Sequence, residues 1–247
     1  MHSRIRPPDS PFICRISQNR LIHSCSFSLA VPISRPRKTI VSLFASYSKI
    51  DQPIPATTQI SGTEAYNVKF QTLPSCKLGI SRYPDFEYNA QGGAGTGTGS
   101  KSNEGNIINV NFDVNTLYIP PLTTATTRFL GLPLPPFLKI DIAPEAFKGT
   151  INQDTGKVDL EFKAKFLFSV GNLYKAPPLL VGTVLTSEES KGVLRSGRGE
   201  RLDKEGKCRL VGVATVQPID DGFMNLFLGL PTECLAKMNA VISISTV

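Results

Sequence analysis

Residues 157–170 read KVDLEFKAKFLFSV, and this stretch decides the fold class. Apolar residues occupy every second position from Val158 to Val170, while charged residues fill the alternate positions as far as Lys165. Such alternation places the two sets on opposite faces of an extended strand, one dry and one wet, as in an antiparallel sheet. At about 3.3 Å per residue the strand is roughly 46 Å long. We therefore expect it to bend, or to pair with two neighbours in succession.

The same alternation recurs in shorter stretches separated by turn residues. NQDTGK at 152–157 predicts a hairpin turn into the long strand, because Asn, Asp and Gly favour turns. Further strands are predicted at residues 108–115, 137–143, 179–186, 192–199, 208–216 and 239–247. One short helix is predicted at 232–239 after Pro231, since proline suits the first turn of a helix. The pattern predicts an all-β chain: a single antiparallel β-sandwich or β-barrel domain with one short C-terminal helix.

A glycine-rich stretch, QGGAGTGTGSKSNEG at 91–105, raises the question of a phosphate-binding loop. A dinucleotide-binding fingerprint would need glycine where Thr98 or Ser100 stands, and Ser100 also separates Gly99 from Lys101 in a Walker-type reading. Both motifs need a helix directly afterwards, but a predicted strand follows. We interpret the stretch as a flexible, solvated loop without a phosphate site.

The N-terminal segment resembles an organelle transit peptide. Eight of the 27 basic residues and one of the 20 acidic residues fall within positions 1–50, which leaves 19 of each sign in the remainder. Prolines disfavour the amphipathic helix of a mitochondrial leader, so we predict a disordered chloroplast transit peptide at 1–48. We divide the rest into an N-terminal extension at 49–106, with one or two strands and the glycine-rich loop, and a core antiparallel β domain at 107–247.

Several functional classes are excluded by what the body of the chain contains. Its balanced charge gives no broad field for nucleic acid, and no apolar run approaches the about 20 residues of a transmembrane helix. The only histidines, His2 and His23, lie in the leader, which removes histidine-dependent catalysis and zinc sites. The widely spaced Cys76, Cys208 and Cys234 suggest buried thiols, with a Cys208–Cys234 disulfide conceivable. We predict no catalytic residue, metal or cofactor.

The pentapeptide FLGLP occurs twice, at residues 129–133 and 227–231. Exposed loops rarely carry such apolarity, so each copy either caps the sheet and buries itself, or borders an apolar cavity or a membrane. On the second reading we predict apolar ligand contacts from both copies and their flanks: Phe129, Leu130, Leu132, Phe137, Phe223, Phe227, Leu228 and Leu230.

Polar candidates are few. Asp220 and Asp221 precede a glycine and indicate a turn rather than an acid–base pair. Arg195 and Arg198 are possible contacts for an anion, although the sequence favours a solvated hairpin in which nearby acids balance them. Tyr118 and Tyr174 could bond a ligand carbonyl or serve as core aromatics.

These observations favour a non-enzymatic plastid protein, in the stroma or on the thylakoid surface, that binds an apolar small molecule or lipid. One alternative is a peripheral scaffold or assembly factor that docks on a thylakoid protein complex through the apolar loops. A second alternative is an enzyme without histidine that uses carboxylates or tyrosine.

Overall fold

The computed structural model describes residues 64–103 and 105–247; the predicted transit peptide and residues 49–63 lie outside them. The described part is a mostly antiparallel β fold with one short helix. In chain order its elements are β1 (Ala65–Thr72), β2 (Cys76–Ile80), β3 (Phe86–Tyr88), β4 (Ala94–Lys101), β5 (Ile107–Phe112), β6 (Thr127–Phe129), β7 (Leu132–Pro133), β8 (Leu138–Asn152), β9 (Val158–Val170), β10 (Tyr174–Lys175), β11 (Leu179–Thr186), β12 (Glu189–Lys191), β13 (Ser196–Arg198), β14 (Lys207–Val216), α1 (Gly222–Leu228) and β15 (Thr232–Thr246).

Eight of these strands close into a barrel. The order around the ring is β1–β4–β5–β8–β9–β11–β14–β15, and the last strand pairs back onto the first from Tyr66↔Thr246 to Thr72↔Ala240. β9 carries the predicted alternation, with Val158, Leu160 and Ala164 buried. It also serves two partners in succession along one edge, β11 and then β10.

Different strands form the barrel wall at its two ends. One edge of β15 pairs with β1 over its last half, but Cys234–Lys237 of the same edge pair with β2. The edge of β8 is divided in the same way, because β5 covers its final residues while Leu122 bridges Ile140 near its start. Strands β2, β3, β6 and β7 therefore form the wall at one end, where β1, β4 and β5 form it at the other.

The end walled by β1, β4 and β5 is filled with side chains. The ring of Phe147 lies 5.0 Å from that of Phe70 and 4.7 Å from that of Phe112, and its other neighbour, Phe162, lies 5.9 Å away. Fully buried aliphatic residues complete this core: Ile108, Ile151, Val158, Leu160, Leu210 and Ile242.

One seam of the ring, between β11 and β14, has little backbone pairing. β11 and β14 share a single backbone pair, Thr186↔Val211. Beyond it the side chain of Thr183 bridges the gap, because its Oγ1 donates to the carbonyl oxygen of Val213 at 2.8 Å. The Val213 amide donates instead to Ser190 Oγ at 3.0 Å. Ser190 belongs to the separate β12–β13 hairpin, which flanks β14.

Residues 94–101 of the glycine-rich stretch form strand β4, so the interpretation of this part as a flexible loop was wrong. β4 pairs with β1 on one side and β5 on the other. Gly95 and Gly99 are buried, whereas Thr96 and Thr98 are exposed, so the stretch alternates with the period of a strand. The core therefore begins well before residue 107, because β1 and β4 belong to the same ring as the later strands.

The predicted helix at 232–239 is also wrong in place, although the structure does contain one short helix near the C-terminus. Those residues form the start of β15, which pairs with β14 along one edge and with β2 along the other. Pairing on both sides overrides the weak helix preference of the segment. The helix lies just upstream, at Gly222–Leu228. Within the described residues no helix is long and apolar enough to cross a membrane.

Gly97→Ala tests whether β4 needs glycine for close approach. A Cβ at this position would stand 2.5 Å from the carbonyl oxygen of Asn111 and 2.7 Å from Cα of Phe112, both in the backbone of β5. We expect a loss of about 1–3 kcal/mol in the free energy of unfolding, measured by urea denaturation. Gly182→Ala in β11 is the matched control, because its Cβ would meet nothing closer than Lys163 Cγ at 3.6 Å. Equal stabilities of the two variants would contradict this account.

Candidate functional site

A cavity of about 560 Å³ occupies the half of the barrel opposite the aromatic core. Phe162 of the aromatic core lies at its floor, and α1 crosses its top. Inward-facing residues of six strands form much of the wall; examples are Leu78, Ile140, Phe166, Val181, Ala214 and Met238. The volume lies within the roughly 300–1,000 Å³ of sites for small molecules.

Helix α1 forms the roof because its sequence gives it two faces and two caps. Asp221 is the N-cap and accepts from the Met224 amide at 2.8 Å, while Gly229 ends the helix at a φ of 65°. Met224 and Leu228 are buried and belong to a cluster with Phe168, Leu179 and Val216.

Two tyrosines outside the helix hold its two ends. Tyr174 donates to Asp221 Oδ2 at 2.6 Å, and Tyr83 donates to the carbonyl oxygen of Phe227 at 2.7 Å. Burial, together with the bond to Asp221, raises the pKa of Tyr174 to about 12, and the same bond lowers the pKa of the Asp221 carboxyl. Asp221 is thus a helix cap, and Tyr174 is a positioning residue for it.

Both FLGLP copies border the opening of the cavity. Residues 129–133 form the tight β6–β7 hairpin with Gly131 at a φ of 78°, and residues 227–231 end α1 with Gly229 in the same left-handed region. Tyr83 lies between the copies, its ring 6.5 Å from that of Phe129 and 6.2 Å from that of Phe227. We call this opening, bordered by Tyr83, Leu130, Leu132 and Phe227, the mouth.

The predicted ligand contacts divide into two sets. Five line the cavity: Phe129, Leu130, Leu132, Phe227 and Leu228. The other three lie outside its lining. Phe137 and Phe223 are exposed next to the mouth, and Leu230 packs against the cluster beneath α1.

The polar groups that reach the cavity already have partners inside the protein. Tyr88 donates to the carbonyl oxygen of Pro120, and burial raises the pKa of this phenol. Tyr83 and Thr183 likewise donate to backbone carbonyls. Burial also raises the pKa of Cys234 to about 11. Because none of the described lining residues is charged, this site offers apolar contact rather than ionic or directional binding.

The two arginines predicted as anion contacts lie outside the cavity. The Arg195 guanidinium is mostly buried, pairs with Asp85 at 2.6 Å and also donates to the carbonyl oxygens of Ser81, Ile80 and Tyr83. Arg195 therefore joins its loop to the turn after β2, and an anion there would have to displace Asp85. Arg198 is exposed on β13.

Residues 64–103 and 105–247 contain neither a disulfide nor a cluster of side chains that could hold a metal ion. Cys76, Cys208 and Cys234 are free thiols, so the conceivable Cys208–Cys234 disulfide does not form. The register explains why, since Cys208 pairs with Ala240 and Cys234 with Ala214 at separate heights on the barrel. Nor do His, Cys, Asp or Glu cluster there in a way that could hold a metal ion.

Sequence reasoning missed most of the wall. Val181, Thr183 and Ala214 belong to alternating stretches, whereas Met238 lies in the segment that was predicted as a helix. Alternation shows only that a residue points inward. Whether it meets a core or a void depends on the strands across the barrel. Met224 had a usable signal, because it lies four residues before Leu228 and the two share a helix face.

Comparison of this chain with protein-family models, curated protein sequences and solved structures finds no match to any of the three.

Thiol modification tests whether the cavity reaches Cys234. At pH 8 the raised pKa leaves only a small fraction of this thiol as the reactive thiolate. Anionic iodoacetate should also be excluded by the uncharged lining, and so should leave Cys234 unmodified in the folded protein. Small, neutral methyl methanethiosulfonate should enter the cavity and modify Cys234 faster than Cys208, which burial in the core also keeps protonated, with a pKa of about 12. Peptide mass mapping separates these sites from Cys14, Cys25 and Cys76. Faster modification of Cys208 would show that the cavity does not give access to Cys234.

Proposed function

We propose that this chain is a non-enzymatic plastid protein that holds a neutral apolar small molecule or lipid in its barrel cavity. The observation that carries the proposal is the cavity of about 560 Å³ whose lining is apolar and whose polar groups already have internal partners. A ligand needs no charged anchor there, because each buried methylene contributes about 0.8 kcal/mol.

The same lining favours a neutral ligand over an ion. A carboxylate brought into this cavity would lose water and meet no cation, which costs several kcal/mol or more. Uncharged hydrocarbons, alcohols, ketones or esters avoid that cost. A ligand with a charged group fits only if that group stays at the mouth.

An enzyme that works through carboxylates or tyrosine has less support. No Asp or Glu is found among the described lining residues, and both lining tyrosines donate to backbone carbonyls. Both hydroxyls are therefore already engaged, and neither is free for proton transfer to a ligand.

Docking on a protein complex is the second candidate. It is favoured by the exposure of Leu130 and Leu132 in the first FLGLP copy, because solvated apolar loops often mark contact sites. A scaffold would use these loops without using the cavity, so ligand uptake separates the two functions.

Ala214→Leu tests the cavity directly. Ala214 is buried in its wall, so the larger side chain takes space from a ligand while burying more apolar surface. We expect affinity for the neutral fluorescent probe N-phenyl-1-naphthylamine to fall about tenfold or more, with an unchanged or higher melting temperature. The neighbouring Thr215→Leu on the exposed outer face is the matched control. Unaltered probe binding by Ala214→Leu would exclude this cavity as the binding site.

Plastid import requires its own test, because residues 1–48 lie outside the described structure. Fused to a fluorescent protein and expressed in leaf cells, these residues should direct it to chloroplasts. The control replaces Arg4, Arg6, Arg15 and Arg20 with glutamate, since transit peptides are poor in acidic residues. A cytosolic or mitochondrial signal from the unaltered segment would overturn the plastid assignment.

A further inference from the structure

Six exposed apolar side chains surround the mouth, and we call them the apolar rim: Leu130, Leu132, Phe137, Leu173, Phe223 and Leu226. Their exposures are high for residues of this type, at 93% for Leu173, 85% for Leu226 and 78% for Phe137. Single exposed apolar residues are ordinary, but a group of them around one opening indicates a contact surface.

The apolar rim is continuous because neighbouring loops touch one another. The Gly171 amide donates to the carbonyl oxygen of Phe137 at 2.9 Å, which joins the loops that carry Phe137 and Leu173. Tyr174 follows Leu173, and its ring meets that of Phe223 at 5.6 Å. Phe223 stacks on Phe227 at 5.6 Å, and Tyr83 links Phe227 to the hairpin of Leu130 and Leu132.

Three exposed cations lie beside the apolar rim. Arg82, Arg128 and Lys175 are exposed within its segments, and Arg82 lines a shallow groove with Leu226. Among the acids nearby, Asp220 is exposed and Glu87 lies opposite Arg128 in the β3–β6 pair, whereas Asp221 caps α1 and Asp85 pairs with Arg195. Cations beside exposed leucines and phenylalanines match an interface in which anionic headgroups border hydrocarbon.

We propose that the apolar rim docks this protein on an anionic lipid bilayer with the mouth against the membrane. The inference rests on the proposed function, because an apolar ligand then passes between bilayer and cavity without crossing water. Leu226 and Leu173 would enter the boundary between headgroups and acyl chains, and the three cations would lie at headgroup level.

A protein partner or a second copy of the chain fits these observations less well. The rim residues project from the β6–β7 hairpin, two loops and helix α1 around an open mouth, and burying them against a protein would close access to the cavity. A fluid bilayer covers them and still supplies the ligand.

Tryptophan fluorescence tests the inference, because the chain contains no tryptophan. Leu226→Trp places one reporter on the apolar rim, and Lys204→Trp places one on an exposed turn beside the start of β14, at the opposite end of the barrel. Each full-length variant is mixed with vesicles of phosphatidylcholine and phosphatidylglycerol, with and without brominated acyl chains.

We expect a blue shift and strong bromine quenching for Leu226→Trp, and neither for Lys204→Trp. The basic N-terminal segment would bring both variants to the vesicles, so insertion of the reporter, rather than co-sedimentation, is the measurement. Adding Leu173→Asp to Leu226→Trp should abolish most of the quenching without changing the melting temperature, since Leu173 is almost fully exposed.

Other results would overturn the inference. Equal quenching of the two reporters would show attachment without orientation, and no quenching would show that the apolar rim does not enter the bilayer. A blue shift of Leu226→Trp that grows with protein concentration without vesicles would identify a second copy as the occupant. Probe uptake by the same variants in solution tests the cavity separately, so each proposal can fail alone.

Discussion

The pairing of β1 with β15 is the constraint on which the rest of the structure depends. It joins the two ends of the described chain and leaves the ring without a free edge there. It covers only the second half of β15, however, because β1 ends at Thr72 and the chain turns away before β2 begins at Cys76. The first half of β15 is left to β2, and this division produces a barrel with two different walls. The cavity is a consequence of that change of wall.

The two halves differ in what fills them. In the closed half Phe70, Phe112 and Phe147 meet at the centre and leave no room for a ligand. In the other half the inward positions of β11 and β14 carry smaller residues, Val181, Thr183 and Ala214. The short strands β2, β3, β6 and β7 form the wall there, and the cavity lies at the centre. Removing apolar surface from water drives the filling of both halves: side chains fill the first, and in the proposed function a ligand fills the second.

The sequence predicted the fold class better than the site. The alternation from Val158 to Val170 identified β9 and its inward face, because a period of two is a local property of the chain. The glycine-rich stretch was wrongly predicted as a loop because its composition suggested flexibility. Its residues nevertheless alternate with a period of two, and glycine at position 97 allows the backbone of β5 to lie close to β4. Residues 232–239 were wrongly predicted as a helix because strand pairing on both edges of β15 outweighs the helix propensity of the segment. Most of the wall could not be identified, since a void exists only between residues distant in sequence, such as Val181 and Met238.

The single backbone pair between β11 and β14 bears on how the barrel adjusts to its contents. Elsewhere in the ring a wider interior would require breaking several ladder hydrogen bonds at once. At this seam the side chain of Thr183 reaches Val213, and a change of its rotamer can lengthen or break that bond while the main chain keeps its other partners. In the proposed function, this weakly paired seam beside the cavity is the place where the barrel would widen for a larger ligand, with no change in the number of strands.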